Sequence, residues 1–186
     1  MHLTPRDETR DPRRPIDLFL RSLAEEMRSQ SIGVVLSGTG SDGTFGLEAI
    51  RAEGGITFAQ DATATYDGMP VSAATAGCVD YVLPPVGIAE ELARISRHPS
   101  VNRLPDEPVS SPAGRIGDPF DAVVHRLSEV SGVDFSNYKQ ATLRRRIHRR
   151  MVISRIERVE DYRRLLEEDQ GEAEGLCRDV LINVTS

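Results

Sequence analysis

IGVVLSGTGSDG, residues 32–43, carries a short run rich in β-branched residues directly into a turn that contains three glycines. Such a run is typical of a buried strand, and the apolar residues after the turn predict a helix that ends at Gly54-Gly55. A strand, a glycine turn and a helix in this order favour a parallel sheet. Because ligands and active sites gather beyond the carboxyl ends of parallel strands, this turn is the first candidate for a functional site.

The same alternation continues on both sides of the turn. Short apolar runs at 56–59 and 79–83 predict two further strands, and the spacing of apolar residues predicts helices over 16–27, 69–76 and 86–95. Residues 15–95 are therefore expected to form an α/β region with a partial parallel sheet of three strands. A sheet this small is expected to be only part of a domain, and residues 1–14 before it are expected to be a polar tail.

The second half of the chain has a different pattern. Residues 96–118 hold four prolines and several serines with little apolar periodicity, which is the composition of a linker. From Pro119 to Ser186 the pattern is helical, with segments predicted over 120–130, 138–153, 159–168 and 173–182. A small all-α helical bundle over residues 119–186 is expected to follow the α/β region.

Length, charge and cysteine content exclude several classes of protein. The chain has 186 residues, 39% of them hydrophobic, and a net charge of −6, which is typical of a soluble protein and argues against a dedicated nucleic-acid binder. No stretch approaches the roughly 20 apolar residues of a membrane helix, and the N-terminal residues lack the apolar core of a signal peptide. A cytoplasmic location without membrane insertion is therefore expected. Cys78 and Cys177 are isolated, which argues against a disulfide framework or a metal site.

Three roles are open for Asp42 in the glycine turn. The turn and the next helix could cradle a phosphate, although it contains no lysine and Asp42 would repel the anion. Asp42 could instead orient a catalytic histidine as the acid of a Ser-His-Asp triad. In the third interpretation, Asp42 simply caps the helix that follows.

A second candidate is the basic segment over 138–151. Leu143, Ile147 and Met151 recur every four residues and predict an apolar stripe toward the bundle. Four arginines, Arg145, Arg146, Arg149 and Arg150, fall on another arc. They could form a solvated face balanced by the acidic helices that follow, or they could dock on an acidic partner. Nucleic acid is a weaker candidate partner, because no aromatic residues interleave the arginines.

The α/β region resembles the C-terminal half of CheB-type protein-glutamate methylesterases. The resemblance is carried in order by LSGTGSDGTFGLEAI, GGITFAQD, GMPVSAATAG and VDYVLPP. It implies hydrolysis of methyl esters on receptor glutamates, with Asp42 as the triad acid. The serine and histidine of the family would precede residue 1, and none of His2, His98, His125 and His148 matches the family's histidine. Whether the chain is an enzyme is therefore open, and we expect the isolated chain to be inactive.

The helical region is similar to the N-terminal domain of CheR-type protein-glutamate methyltransferases. FDAVVHRLSEVSGVDFSNYKQATLRRRIHRRM and the terminal LINVTS carry the resemblance. It implies that Arg145, Arg146, Arg149 and Arg150 face the acidic methylation region of chemoreceptor helices. It also implies that Asn183 and Thr185 contact S-adenosylmethionine. Because the family's cofactor domain would follow Ser186, we expect no tight cofactor binding by this chain.

The order of the two regions resembles fused CheB–CheR proteins of chemotaxis-like adaptation. The leading expectation is a fragment of a bifunctional chemoreceptor-modifying protein. The alternative is a non-catalytic module that binds acidic receptor helices through its arginine-rich helix. A third hypothesis is a small phosphate-binding α/β protein that uses residues 38–43.

Overall fold

The computed structural model describes residues 14–99, 119–135 and 138–181. The chain divides into two compact units, of which the first ends at Ile88 and the second begins at Ala89. Each element begins and ends close to its predicted position. In chain order the elements are α1 (Pro15–Met27), a 3-10 helix (Arg28–Gln30), β1 (Ile32–Val35), α2 (Thr44–Ala52), β2 (Ile56–Gln60), α3 (Gly68–Thr75), β3 (Tyr81–Leu83), α4 (Pro85–Ile95), α5 (Pro119–Ser131), α6 (Gln140–Ile153), α7 (Val159–Glu168) and α8 (Gln170–Leu181).

The first unit contains a three-stranded parallel sheet in the order β1-β2-β3, which confirms the α/β prediction. Ile32 lies opposite Ile56 and Phe58 opposite Tyr81, so the carboxyl ends of the strands meet at one edge. β2 is buried along its whole length because it is the central strand. The core beside the sheet combines apolar residues of α1, α2 and α3 with one residue of β1 and one from the segment before β3, namely Leu20, Ala24, Leu47, Ile50, Ala73, Val35 and Cys78. Burial of these side chains supplies most of the stability of the unit.

The second unit is helical, as predicted. Its core gathers the apolar faces of α5 to α8 around Leu127, Leu143, Tyr162 and Leu176, each of which is at most 1% exposed. Ile147 and Met151 complete the predicted stripe and are equally buried.

The end of α4 and the residues after it belong to this helical unit. Ile95 is fully buried, Arg94 donates to the carbonyl of Val152 at 2.9 Å, and His98 lies 3.0 Å from the carbonyl of Ile156. The predicted linker therefore begins with residues that pack in the bundle. The rest of it, together with the predicted polar tail apart from Arg14, lies outside the described residues. Within the described part of the chain, no helix combines the length and apolarity needed to span a membrane.

Candidate functional site

The turn after β1 is fixed by hydrogen bonds to the segment after β2. The side-chain oxygen of Gln60 accepts from the N–H of Ser37 at 2.9 Å, and the Ser37 hydroxyl accepts from the N–H of Tyr66 at 2.9 Å. Gly38 donates its N–H to Tyr66 at 2.8 Å and accepts from Met69 at 2.9 Å. Two loops at the carboxyl edge of the sheet thus form one rigid platform.

Two glycines allow this geometry. Gly43 has a φ of +96°, a left-handed conformation that a side chain would strain. Gly68 lies so close to the backbone of Gly40 that a Cβ atom would stand 2.9 Å from its nitrogen. Only glycine lets the two loops approach each other this closely.

Asp42 binds the first turn of α1. Its two carboxylate oxygens accept from the N–H groups of Ile16 at 3.1 Å and Asp17 at 2.9 Å. These backbone groups have no partner inside their own helix, so a carboxylate at this position stabilises the helix N-terminus. In the described part of the chain, both hydrogen bonds of Asp42 come from backbone N–H groups.

Asp17 makes the reciprocal contact. Asp17 is 4% exposed, and its carboxylate accepts a hydrogen bond of 2.8 Å from the N–H of Gly46 in the first turn of α2. The same carboxylate lies 3.3 Å from the guanidinium of Arg14. The N-terminal turns of α1 and α2 are therefore joined by two crossed carboxylates, Asp42 to α1 and Asp17 to α2. The cap interpretation was right about the chemistry and wrong about the helix, because the carboxylate that binds α2 belongs to Asp17.

The geometry of the turn does not favour a phosphate cradle. The N–H groups of Ser37 and Gly38 are already bonded to Gln60 and Tyr66, and that of Thr44 to the carbonyl of Ser41 at 3.3 Å. An anion would have to displace these internal bonds beside the Asp42 carboxylate.

The three described histidines have contacts of their own in the helical unit. His98 lies against the Ile156 carbonyl, His125 is 3.5 Å from Glu129, and His148 stacks edge-on against Phe120 at 5.0 Å. His2 lies outside the described residues. Their contacts give none of these histidines the role of a triad base.

The arginine arc on α6 is only partly on the surface. Arg146 and Arg149 are 4% and 3% exposed, and Arg149 donates to Asp179 of α8 at 2.5 Å. Periodicity placed both on a polar arc, but α8 packs over that arc and brings a buried carboxylate with it. A partner could dock on these two side chains only if they left the core. Binding of an acidic partner by the four arginines together stays a prediction.

Arg150 is held by a second acidic residue of α8. Its guanidinium bonds to both carboxylate oxygens of Glu172, which also accepts from the Tyr162 hydroxyl at 2.8 Å. Burial opposes the charge of Arg150, but the bonds and charges of Glu172 and Asp179 outweigh it and raise its pKa. Burial, reinforced by the Glu172 charge, likewise raises the pKa of Tyr162 well above its usual value. This network orders the interface between α6, α7 and α8.

The remaining predicted positions are half-exposed or outside the described residues. Arg145 is half-buried and reaches the hydroxyl of Thr142 at 3.5 Å. Asn183 and Thr185 lie beyond the described part of α8.

Sequence reasoning overlooked Asp17 and the acidic residues of α8. One local pattern could have identified Asp17 as a buried carboxylate. Asp17 stands three positions before Leu20 and therefore on the apolar side of the predicted helix. Asp179 and Glu172 had none, since 30 and 22 residues separate them from Arg149 and Arg150.

Comparisons with known proteins assign the two halves of the chain to two families, with the change between residues 92 and 118. Residues 1–92 match the family model of the CheB methylesterase, and residues 118–181 match that of the all-alpha domain of the CheR methyltransferase. An uncharacterized 104.1 kDa protein of Rhodobacter capsulatus is 37% identical over 207 aligned residues, covering 100% of this chain and 21% of its own length.

Two further relatives are named as methylesterases and match about half of the chain or less. A protein-glutamate methylesterase/protein-glutamine glutaminase of Burkholderia orbicola is 46% identical over 94 residues, which are 50% of this chain and 28% of the relative. The crystal structure of the Thermotoga maritima CheB methylesterase catalytic domain is 42% identical over 41% of each chain, with a TM-score of 0.40. The chain thus spans between about a fifth and just over a quarter of the length of the curated relatives named here.

Proposed function

Because residues 1–92 belong to the CheB methylesterase family and residues 118–181 to the CheR all-alpha domain family, we propose that the chain is part of a bifunctional chemoreceptor-modifying protein. The methylesterase part would remove methyl groups from receptor glutamates and the methyltransferase part would add them, in a cytoplasmic adaptation pathway. The Rhodobacter capsulatus relative supports this order, since it aligns with both regions within one longer protein.

The observation that carries the proposal is the placement of Asp42. It stands beyond the carboxyl end of β1, where α/β enzymes hold their catalytic groups, and two backbone N–H groups fix its orientation. Two carboxylate oxygens can accept about four hydrogen bonds, so two acceptor positions are left for an imidazole N–H. Asp42 would then hold a histidine in the tautomer that accepts a proton from serine.

The hydrolysis would follow from that arrangement. The serine oxygen attacks the ester carbonyl while the histidine takes its proton, and methanol leaves with that proton. Water then attacks the acyl-enzyme, releasing the glutamate side chain and restoring the serine. No described residue has been assigned as the serine or the histidine of this triad. We therefore propose that the 186-residue chain alone does not hydrolyse the methyl ester.

The methyltransferase part would use S-adenosylmethionine as the methyl donor in the longer protein, with Asn183 and Thr185 as contacts. Asp179, the last acidic residue of the described part of α8, is buried in an ion pair with Arg149 and therefore does not fit a role in holding the cofactor. No step of the transfer is assigned to the described residues.

The test uses the bifunctional protein proposed here, of which this chain would be a part. Methanol release from a methylated chemoreceptor should be lost on Asp42→Asn, which keeps the shape of the side chain but removes its charge. Asp61→Asn is the matched control, because Asp61 follows β2 at the same edge and its carboxylate binds Thr63. Full methanol release by the Asp42→Asn protein would refute the assignment.

A second function, docking on acidic receptor helices through α6, is favoured by the half-buried Arg145 of that helix. Of the predicted set Arg145, Arg146, Arg149 and Arg150, Arg145 is half-buried, whereas Arg146 and Arg149 are buried and Arg150 is bonded to Glu172. Receptor binding that weakens with salt and with Arg145→Glu would support this function.

A further inference from the structure

The loops after β1 and β2, residues 36–43 and 61–67, carry negative charge and no positive charge. Neither loop contains lysine, arginine or histidine. Their charged residues are three aspartates, Asp42, Asp61 and Asp67. Both loops lie at the carboxyl edge of the sheet, so the candidate catalytic turn has locally acidic surroundings.

The guanidinium of Arg14 reaches these loops from the start of α1. It donates to the hydroxyl of Ser41 at 3.3 Å, but it also lies 3.3 Å from the buried carboxylate of Asp17. Asp17 therefore compensates the charge of Arg14. The loop carboxylates keep their excess of negative charge.

The three loop carboxylates differ in what they bind. Asp42 accepts from the backbone of α1, and Asp61 accepts from the N–H and the hydroxyl of Thr63 at 3.0 and 2.6 Å. Asp67 is exposed, and within the described part of the chain its carboxylate has neither a hydrogen bond nor an ion pair. The charge of Asp67 therefore acts on whatever binds at this edge of the sheet.

Backbone contacts hold Asp67 beside the catalytic turn. The preceding residue, Tyr66, makes two hydrogen bonds of 2.9 and 2.8 Å with the loop after β1. The following residue, Gly68, lies so close to Gly40 that a Cβ atom would stand 2.9 Å from the Gly40 nitrogen. Asp42 comes two residues after Gly40. Asp67 therefore stands at the rim of the turn that carries the candidate triad acid.

The proposed reaction changes the charge of the substrate side chain. A glutamate methyl ester is neutral, whereas the glutamate that hydrolysis releases is negative at neutral pH. A fixed carboxylate at the rim repels a glutamate that occupies the position of the ester, and it has no comparable effect on the neutral ester. It therefore weakens binding of the product relative to binding of the substrate.

We propose that Asp67 is a specificity-determining residue, which makes the site select the neutral ester over the glutamate product by charge repulsion. This inference rests on the proposed function, which supplies the ester as the substrate. The repulsion promotes release of the product and keeps unmethylated receptor from competing with methylated receptor. Asp67 takes no part in bond breaking, so it sets selectivity and leaves the rate of ester hydrolysis unchanged.

The test measures methanol release by the bifunctional protein proposed here from a receptor peptide that carries one glutamate methyl ester. The same peptide with a free glutamate serves as a competitive inhibitor. Asp67→Asn should lower the inhibition constant of the free-glutamate peptide about threefold at low salt, because one repelling charge is removed. The difference should disappear as salt is raised, and kcat and KM for the ester should stay those of the parent.

A matched control removes a similar charge elsewhere in the same unit. Glu26 is exposed near the end of α1, next to the start of β1 and thus at the opposite edge of the sheet. Glu26→Gln should leave the inhibition constant unchanged. Asparagine keeps the shape of Asp67 and suits the N-cap position equally well, so Asp67→Asn should fold like the parent.

An unchanged inhibition constant in Asp67→Asn at low salt would overturn the inference and leave the proposed function in place, since the parent still releases methanol. An equal decrease in Glu26→Gln would also overturn it, because the effect would then reflect net charge alone. A lower kcat without a change in the inhibition constant would give Asp67 a structural role instead. Absence of methanol release by the parent would refute the proposed function and this inference with it.

Discussion

Asp42 accepts a 2.9 Å hydrogen bond from the backbone of Asp17, and the side chain of Asp17 in turn accepts a 2.8 Å bond from the backbone of Gly46. Asp42 follows β1 in the chain and stabilises the N-terminus of α1, which precedes that strand. Asp17 lies in α1 and stabilises the N-terminus of α2, which follows the strand. The candidate catalytic acid is therefore also a structural link, which makes its contribution to local stability measurable apart from any activity.

Replacing Asp42 should loosen the start of α1. Asp42→Ala removes the acceptor of two N–H groups, and loss of such a cap costs about 0.5–2 kcal/mol. Amide hydrogen exchange of Ile16 and Asp17 should accelerate accordingly. Asp67→Ala is the control, since Asp67 occupies the N-cap position of α3 without a side-chain cap bond and should change exchange in α3 little. Unchanged exchange at Ile16 in Asp42→Ala would contradict the link.

The buried pair of Arg149 and Asp179 should respond asymmetrically to substitution. Asp179→Asn leaves a buried guanidinium without its counter-charge and should cost about 3–5 kcal/mol of unfolding free energy. The exposed pair of Arg163 and Glu167 gives the comparison, and Glu167→Gln should cost at most about 1 kcal/mol. Denaturant unfolding monitored by far-UV circular dichroism measures both. A similar, small loss in the two variants would show that Asp179 does not compensate Arg149.

Cys78 should make the α/β unit less stable at alkaline pH. Burial, with a smaller contribution from Glu48, raises the pKa of its thiol to about 11. The unfolded thiol releases its proton near pH 9 and the folded thiol only later, so the unfolded state binds fewer protons between these values and stability falls as pH rises. The parent should lose unfolding free energy relative to Cys78→Ala from pH 9 to 11. A constant difference between the two proteins over this range would rule out the contribution.

Two arginine-to-glycine substitutions should have opposite effects. Arg155 has a φ of +59° at the end of α6, a conformation that costs a non-glycine residue about 1 kcal/mol. Arg155→Gly should therefore raise the unfolding free energy, despite losing the contact between the exposed Arg155 side chain and Glu91. Arg164 lies inside the helix α7, so Arg164→Gly should lower the unfolding free energy by about 0.5–1 kcal/mol. Thermal denaturation of both variants checks the pair, and destabilisation by Arg155→Gly would mean that the Glu91 contact dominates.

Most of the secondary structure followed from local patterns. The turn at 37–43 and the β-branched run before it predicted a βα unit, and the Leu143, Ile147 and Met151 stripe predicted the buried face of α6. These predictions succeeded because periodicity and turn chemistry are properties of neighbouring residues. The stretches LSGTGSDG and LRRRIHRRM also pointed to the families that the comparisons identify.

The partners of the polar side chains could not be predicted in the same way. Nothing local distinguished Arg149, which is buried on Asp179, from the half-buried Arg145 on the same arc. Nor did the sequence indicate that Asp42 would bind α1 rather than α2. Hydrogen bonds and ion pairs join residues 25 to 30 positions apart here, and they depend on which helices pack together.

The sequence by itself determined the element types, the apolar faces and the family of each region, because these depend on spacing along the chain. Only the tertiary structure decided which carboxylate caps which helix, which arginines leave the surface, and that Arg14 and Arg21 meet over Phe45. The physical reason is that desolvation and hydrogen bonding act between side chains brought together by packing, whatever their separation in sequence.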